Sequence, residues 1–225
     1  MQIKYFNSNF NNTEDTSKLD DEIIEIVLKL PALKIVSNMA LLKNTIQITK
    51  QFELNKKKIV LFGTGGSNLG ARALENINIE KKIPIEFYDN IDPLNFEKSF
   101  ADIDIKTTGF IVISKSGKTP ETLSQFGSLY QIALQKGNID EFLSNLLIIT
   151  EFKQSPLFDI AKKNNCLLLE HQEDIGGRFS VFSNVGIIPA IISGINIKEL
   201  FIGATDVLSN IDKYSALNLG KFLII

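Results

Sequence analysis

The spacing of hydrophobic positions changes character near residue 58 of this 225-residue chain. Upstream, Ile23, Ile24, Val27, Leu28 and Leu30 recur at three- and four-residue intervals, and beyond Pro31 so do Leu33, Val36, Met39, Ala40 and Leu42. That period predicts amphipathic helices over residues 18–54, broken at the proline, behind an Asn- and Thr-rich arm at residues 1–17. From Lys58 onward the apolar residues come in short unbroken runs: Ile59-Val60-Leu61-Phe62, Phe110-Ile111-Val112-Ile113, Leu146-Leu147-Ile148-Ile149 and Leu167-Leu168-Leu169. Ile85-Glu86-Phe87-Tyr88 belongs with them. Runs of this length are what strands covered on both faces require. Helical patterns at 68–77, 121–136 and 155–164 separate several of the runs. The alternation predicts an α/β fold: a parallel five-stranded sheet with helices on both faces, doubly wound, preceded by an N-terminal helical segment. The predicted divisions are a helical arm at 1–57, a ligand-binding domain at 58–183 and the helical start of a second region at 184–225. The chain has no internal repeat and no low-complexity linker.

Ligands of such sheets bind beyond the carboxyl ends of the strands. The most informative segment, Ser114-Lys115-Ser116-Gly117-Lys118-Thr119-Pro120-Glu121-Thr122, lies at such an end, between an apolar run and a helical pattern. The first N–H groups of a helix have no partner within it, and its dipole is positive there. Ser114, Ser116, Thr119, Lys115 and Lys118 around Gly117 make that end a cradle for an anion, by default a phosphate monoester. A helix cap alone needs one hydroxyl rather than three beside a lysine.

Gly63-Thr64-Gly65-Gly66-Ser67-Asn68-Leu69-Gly70 follows the first strand. A dinucleotide fingerprint starting at Gly63 needs glycine where Asn68 stands, although Asp89 ends the second strand where a ribose-binding acid belongs. A phosphate-binding loop starting at Gly65 needs Lys and Ser or Thr where Ala71 and Arg72 stand. What remains is a tight glycine turn offering backbone N–H groups and the Ser67 hydroxyl to a polar ligand. Of the 24 basic residues only Arg72 and Arg178 are arginine. Arg72, early in a helix, reads as a surface position. Arg178, beside Gly176-Gly177 and ahead of a helix start, reads as a fixed fork for two oxygens.

Composition removes other classes of function. The formal net charge of −2 implies no nucleic-acid or anionic-membrane partner. No apolar run reaches the roughly 18 residues of a membrane span, and the first residues do not form a signal peptide, so a cytoplasmic protein is expected. One cysteine, Cys166, excludes an intrachain disulfide and is expected to be a buried strand residue. With it, a single histidine, His171, makes a zinc site an unsuitable reading. No G-x-S-x-G motif offers His171 a nucleophile, which leaves it structural or solvated.

Taken together, three segments resemble the phosphoglucose isomerase family: Gly63 to Gly70, Ile113 to Leu123, and Gly176-Gly177-Arg178-Phe179-Ser180-Val181-Phe182-Ser183 with Val185-Gly186. The middle segment is shared by sugar isomerase (SIS) domains generally, and the Gly-Gly-Arg-Phe-Ser segment is far more specific. The resemblance covers nearly everything from about residue 58 onward. It implies that Ser114, Lys115, Ser116 and Thr119 hold a substrate phosphate and that Gly66 and Ser67 contact the sugar. Arg178 would stabilise a cis-enediolate, and Glu121 would stand behind a ring-opening histidine. The implied reaction interconverts glucose 6-phosphate and fructose 6-phosphate without cofactor or metal, in a homodimer when full length. The family's base glutamate and ring-opening histidine and lysine fall in later segments, so the chain is expected to be an N-terminal portion and nearly inactive alone. The alternative is a non-catalytic sugar-phosphate-binding module with a regulatory role.

Overall fold

The computed structural model describes residues 24–78 and 80–210; the expected arm at residues 1–17 lies outside them. The chain divides into two compact units, residues 38–197 and the flanking stretches 1–37 with 198–225. In the described part of the flanking unit, residues 24–29 are helical and Leu30 is extended (φ −62°, ψ 128°) ahead of a single turn, α1 (Pro31–Lys34). This is the break expected at Pro31, because the proline ring disfavours helical geometry in the residue before it.

The larger unit begins with α2 (Met39–Phe52), capped by Asn38, whose side chain accepts from the Leu41 N–H. Five strands follow: β1 (Lys58–Phe62), β2 (Ile85–Tyr88), β3 (Thr108–Ile113), β4 (Leu146–Thr150) and β5 (Leu167–Glu170). All pair in parallel, in the order β2-β1-β3-β4-β5, with Val60 opposite Phe110, Phe110 opposite Leu146 and Ile149 opposite Leu169. The connections are α3 (Leu69–Ile77), α4 (Pro93–Phe100), α5 (Pro120–Gln135), α6 (Ile139–Ser144) and α7 (Pro156–Lys163). After β5 come α8 (Asn184–Ser193) and α9 (Ile197–Ser209), the second of which crosses into the flanking unit.

Side chains alternate across the sheet, so each apolar run feeds two cores. Val60, Phe62, Phe110, Val112, Leu146 and Ile148 meet Phe126 and Leu129 of α5, Phe142 of α6 and Leu157 of α7. Ile59, Leu61, Ile111, Ile113, Leu147 and Ile149 meet Phe52 of α2 and Val185, Ile188 and Ile192 of α8. Every residue of β3 is buried. Each large apolar side chain so buried contributes about 1.5–3 kcal/mol, which is why the runs carry no polar alternation.

The sequence pattern missed α4 and α6. In α4, Asp92 caps the helix by accepting from the N–H groups of Leu94 and Asn95, and Pro93 takes the first helical position. Its hold on the sheet is aromatic: Phe96 and Phe100 lie 4.3 Å apart, and Phe100 lies 4.9 Å from Tyr88, centroid to centroid. Cys166 precedes β5 rather than lying in it, and is half-buried rather than buried. The strand begins one residue later because Asn165, at φ 52°, turns the chain there. Burial raises the Cys166 thiol pKa above its usual value.

Candidate functional site at the switch point of the sheet

In the order β2-β1-β3-β4-β5 the winding reverses between β1 and β3, so the loops leaving those two strands part and leave a crevice. The loops that leave there are the glycine turn and the hydroxyl segment.

The glycine turn is a 3-10 turn, Gly65–Ser67, entered by Gly65 at φ +54°, a conformation that excludes most side chains. Asn68 is fully buried and holds the turn by donating from Nδ2 to the Gly63 carbonyl, at 2.8 Å. Ser67 is half-buried.

In the hydroxyl segment, Ser114 is 1% exposed, and its Oγ lies 2.7 Å from Thr119 Oγ1. Between them the chain turns back: the Gly117 N–H donates to the Ser114 carbonyl, and the Lys118 N–H to Ser116 Oγ. Gly117 has φ +64°, and a Cβ there would lie 2.1 Å from Ser155 Oγ, the cap of α7. Thr119 precedes α5 without its side chain capping it, and Pro120 occupies the first position. The end of α5 therefore points unspent N–H groups at the turn. Glu121 is half-buried in the first turn.

The third loop leads from β5 to the 3-10 turn Gly177–Phe179. Gly66 and Gly177 touch backbone to backbone, and Ser180 donates to the Gly177 carbonyl at 2.6 Å. Arg178 is exposed, and among the described residues no hydrogen bond or ion pair engages its guanidinium. Lys115 of the hydroxyl segment reaches the same loop, its Nζ donating to the Glu173 carbonyl at 2.7 Å and standing 3.7 Å from Glu151. Contacts thus bring together Gly66 with the turn that carries Arg178, and Lys115 with the loop before it.

Other residues are spent. Arg72 is no idle surface charge: it pairs with Asp89 at 3.2 Å and stacks 5.2 Å above the Phe87 ring. That pairing engages the acid a ribose would need. Glu173 is exposed and hydrogen-bonded to Lys153, which holds its carboxyl below the usual range. His171 is fully buried, with Nδ1 3.2 Å from the Gln172 carbonyl and Nε2 without a partner. Burial pushes its pKa down, against the hydrogen bond to the Gln172 carbonyl, which favours the charged ring, and with a smaller push from Lys115. Asn68 Oδ1, Thr122 Oγ1 and Gln125 Oε1 are also buried without partners at this end of the sheet. Sequence reasoning gave these three and Glu151 no role, although Asn68 and Thr122 lie within its two loop segments, because burial without a partner is decided by residues distant in the chain. A separate groove of about 800 Å³ runs between Ile91–Glu97 and α5. Ile91, Phe96, Leu123 and Ile132 line it beside polar residues such as Asp92, Gln125 and Gln131, and it contains none of the candidate site residues. Among the described residues no cluster of His, Cys, Asp and Glu could hold a metal ion, and no helix is long and apolar enough to cross a membrane.

A doubly wound parallel sheet, with a glycine turn and a hydroxyl-lined helix start flanking its switch point, defines an α/β domain of the sugar isomerase type. The model of the phosphoglucose isomerase family matches residues 42–216, and the chain belongs to that family. It is 38% identical over 171 residues to a probable glucose-6-phosphate isomerase of Methanococcus maripaludis, covering 71% of this chain and 38% of that protein. It is 34% identical over 162 residues to the glucose-6-phosphate isomerase of Mycoplasmoides gallisepticum, covering 70% of this chain and 38% of that one. The chain thus spans well under half the length of these relatives. In fold it is similar to a hypothetical protein of Thermus thermophilus, with TM-score 0.78 and 24% identity, over 86% of this chain and 48% of that one. It is also similar to a glucose-6-phosphate isomerase from Chlamydia trachomatis, with TM-score 0.63 and 24% identity, over 77% of this chain and 33% of that one.

Proposed function

We propose that this chain supplies the phosphate-anchoring and oxyanion-stabilising part of an isomerase that interconverts glucose 6-phosphate and fructose 6-phosphate. The observation that carries the reading is the meeting of three loops at the switch point: Gly66 against Gly177, and Lys115 against Glu173. Ser114, Lys115, Ser116 and Thr119 hold the phosphate, with the start of α5 adding backbone N–H groups. Gly66 and Ser67 face the sugar. Arg178, unpaired and always charged, stabilises the negative charge that appears when a proton leaves C2 or C1 and a cis-enediolate forms.

An aldose–ketose isomerisation moves one proton between neighbouring carbons. Fixing the phosphate converts that transfer into a step between positioned groups, and the arginine lowers the barrier only where charge develops. Neither carboxylate beside the Arg178 turn suits the base: Glu173 is bound to Lys153 and Asp174 is exposed. We assign the base and the ring-opening groups to residues outside this chain, Glu121 to a place behind the ring-opening group, and the complete enzyme to a cytoplasmic homodimer. A stand-alone sugar-phosphate-binding module is the second reading, favoured by the same phosphate cradle with the base left out.

Calorimetric titration tests the anchor. Glucose 6-phosphate and 6-phosphogluconate should bind far more tightly than glucose; equal affinities would remove the site. An isomerase assay on a longer chain that continues this sequence then separates enzyme from binding module.

A further inference from the structure

Four charged residues form a ring across the loops that follow β3, β4 and β5, three of its links made between side chains and the fourth through a backbone carbonyl. Glu151 stands 3.7 Å from Lys115 through Oε1 and 3.7 Å from Lys153 through Oε2. Lys153 is hydrogen-bonded to the Glu173 carboxylate, and Lys115 donates to the Glu173 carbonyl at 2.7 Å, which closes the circuit. We propose that Glu151 is a positioning residue: it sets the aim and free charge of Lys115, and through the ring it locks the Arg178 loop to the hydroxyl segment. The first half of this proposal rests on the phosphate site described above; the lock stands on geometry alone.

Exposed ion pairs contribute little, typically about 0–1 kcal/mol, so a ring of them would ordinarily mean nothing. Glu151 differs because its side chain is only 16% exposed. A carboxylate partly withdrawn from water needs partners, and among the described residues these two lysines pair with it. It also grips Lys115 at the other end: the Glu151 N–H donates to the Lys115 carbonyl at 3.0 Å, and the neighbouring Thr150 hydroxyl donates to the same oxygen at 3.3 Å. Both ends of Lys115 are therefore fixed from the β4 loop.

The Arg178 loop is then held at two points. Glu173 is tied by Lys115 and Lys153, and Gly177 is pressed on Gly66. Between them Ile175 is 2% exposed, and its N–H donates to the Gln172 carbonyl. Such a segment, pinned at both ends and anchored in the middle, fixes the backbone that leads into Arg178. The ring carries two positive and two negative charges, so part of the attraction Lys115 could offer an incoming phosphate is already spent on Glu151.

Removing the Glu151 charge should therefore have opposite effects on affinity and on order, which loss of a merely structural residue would not. In the 225-residue chain, Glu151→Gln should bind inorganic phosphate about 3- to 10-fold more tightly at low salt, the scale of one partly screened charge pair. Amide exchange across residues 176–180 should become several-fold faster, and Glu151→Asp should restore both toward the parent. Phosphate affinity that is unchanged or weaker overturns the charge role, and unchanged exchange overturns the lock. If the parent chain binds no phosphate, the site reading has failed, and the exchange measurement decides the lock by itself. If Glu151→Gln does not fold, Lys153→Met cuts the ring at its exposed link. Exchange at 176–180 should again rise, and no rise overturns the proposal.

Discussion

Gly66 and Gly177 lie in direct backbone contact, so close that a Cβ on Gly66 would fall 2.3 Å from the Gly177 carbonyl carbon and 2.7 Å from the Arg178 nitrogen. Backbone cannot swing aside as a flexible side chain can, so any residue larger than glycine at 66 must part the two loops. Gly66→Ala is expected to cost about 1–3 kcal/mol, the usual range for overpacking, and to weaken binding of 6-phosphogluconate. Chemical denaturation together with calorimetry checks both; a variant with parental stability and affinity would show that the contact is slack.

Lys115→Ala should weaken binding of glucose 6-phosphate by about 1–3 kcal/mol, the cost of losing a hydrogen bond to a charged group and leaving its neighbours unpaired. The same substitution should leave the weak affinity for unphosphorylated glucose unchanged. Titration with both sugars distinguishes a phosphate contact from a general loss of folding.

The isolated 225-residue chain should be nearly inactive as an isomerase. General acid–base groups each contribute on the order of 100- to 10,000-fold, and the described carboxylates nearest Arg178 are paired or solvent-exposed. A coupled assay with ordinary turnover from the purified chain would place the base within it, and Glu173 would be the first residue to replace.

In a longer, active chain, Arg178→Lys should lower kcat by roughly 10- to 1,000-fold with little change in KM for fructose 6-phosphate. On the proposed reading the charge it meets exists only in the enediolate, and a single ammonium cannot span two oxygens as the fork does. An effect confined to KM would make Arg178 a ground-state binding residue.

Stability should fall as the pH drops through the ordinary histidine range. His171 is buried with a depressed pKa, caused first by desolvation, which outweighs the opposing hydrogen bond to Gln172. Below about pH 6.5 the unfolded chain takes up a proton that the folded chain refuses. The unfolded state is then favoured, until the pH reaches the folded-state value and the loss levels off. Urea midpoints measured from pH 8 to pH 5 should decline in this window and flatten in His171→Phe. Equal slopes in the two proteins would move the effect to another group.

Much of this fold is written locally. The strands are legible because each is a short run that must bury both faces, and Phe110-Ile111-Val112-Ile113 could serve no other purpose in a polar solvent. The two turns flanking the crevice are legible because glycines stand at 63, 65, 66 and 117 and Ser114, Ser116 and Thr119 gather before a helix, and in the structure Gly65 and Gly117 adopt positive φ. The helix α4 was not legible, since eight residues with a face made of Phe96 and Phe100 look like loop until Tyr88 and Phe62 are seen beneath them. Nor was the fate of Arg72, which a surface reading missed because its partner Asp89 comes from another strand end.

The sequence by itself determined the strands, the starts of α3, α5 and α7 and the chemistry of each loop, because hydrogen bonding, glycine freedom and apolar runs act between residues close in the chain. Only the tertiary structure decided the order β2-β1-β3-β4-β5 and hence where the winding reverses. It alone pressed Gly66 on Gly177 and drew Lys115, Glu151, Lys153 and Glu173 into one ring. These contacts join loops separated by many residues, and they form because burying both faces of one sheet forces its strand ends, with whatever they carry, into a common edge.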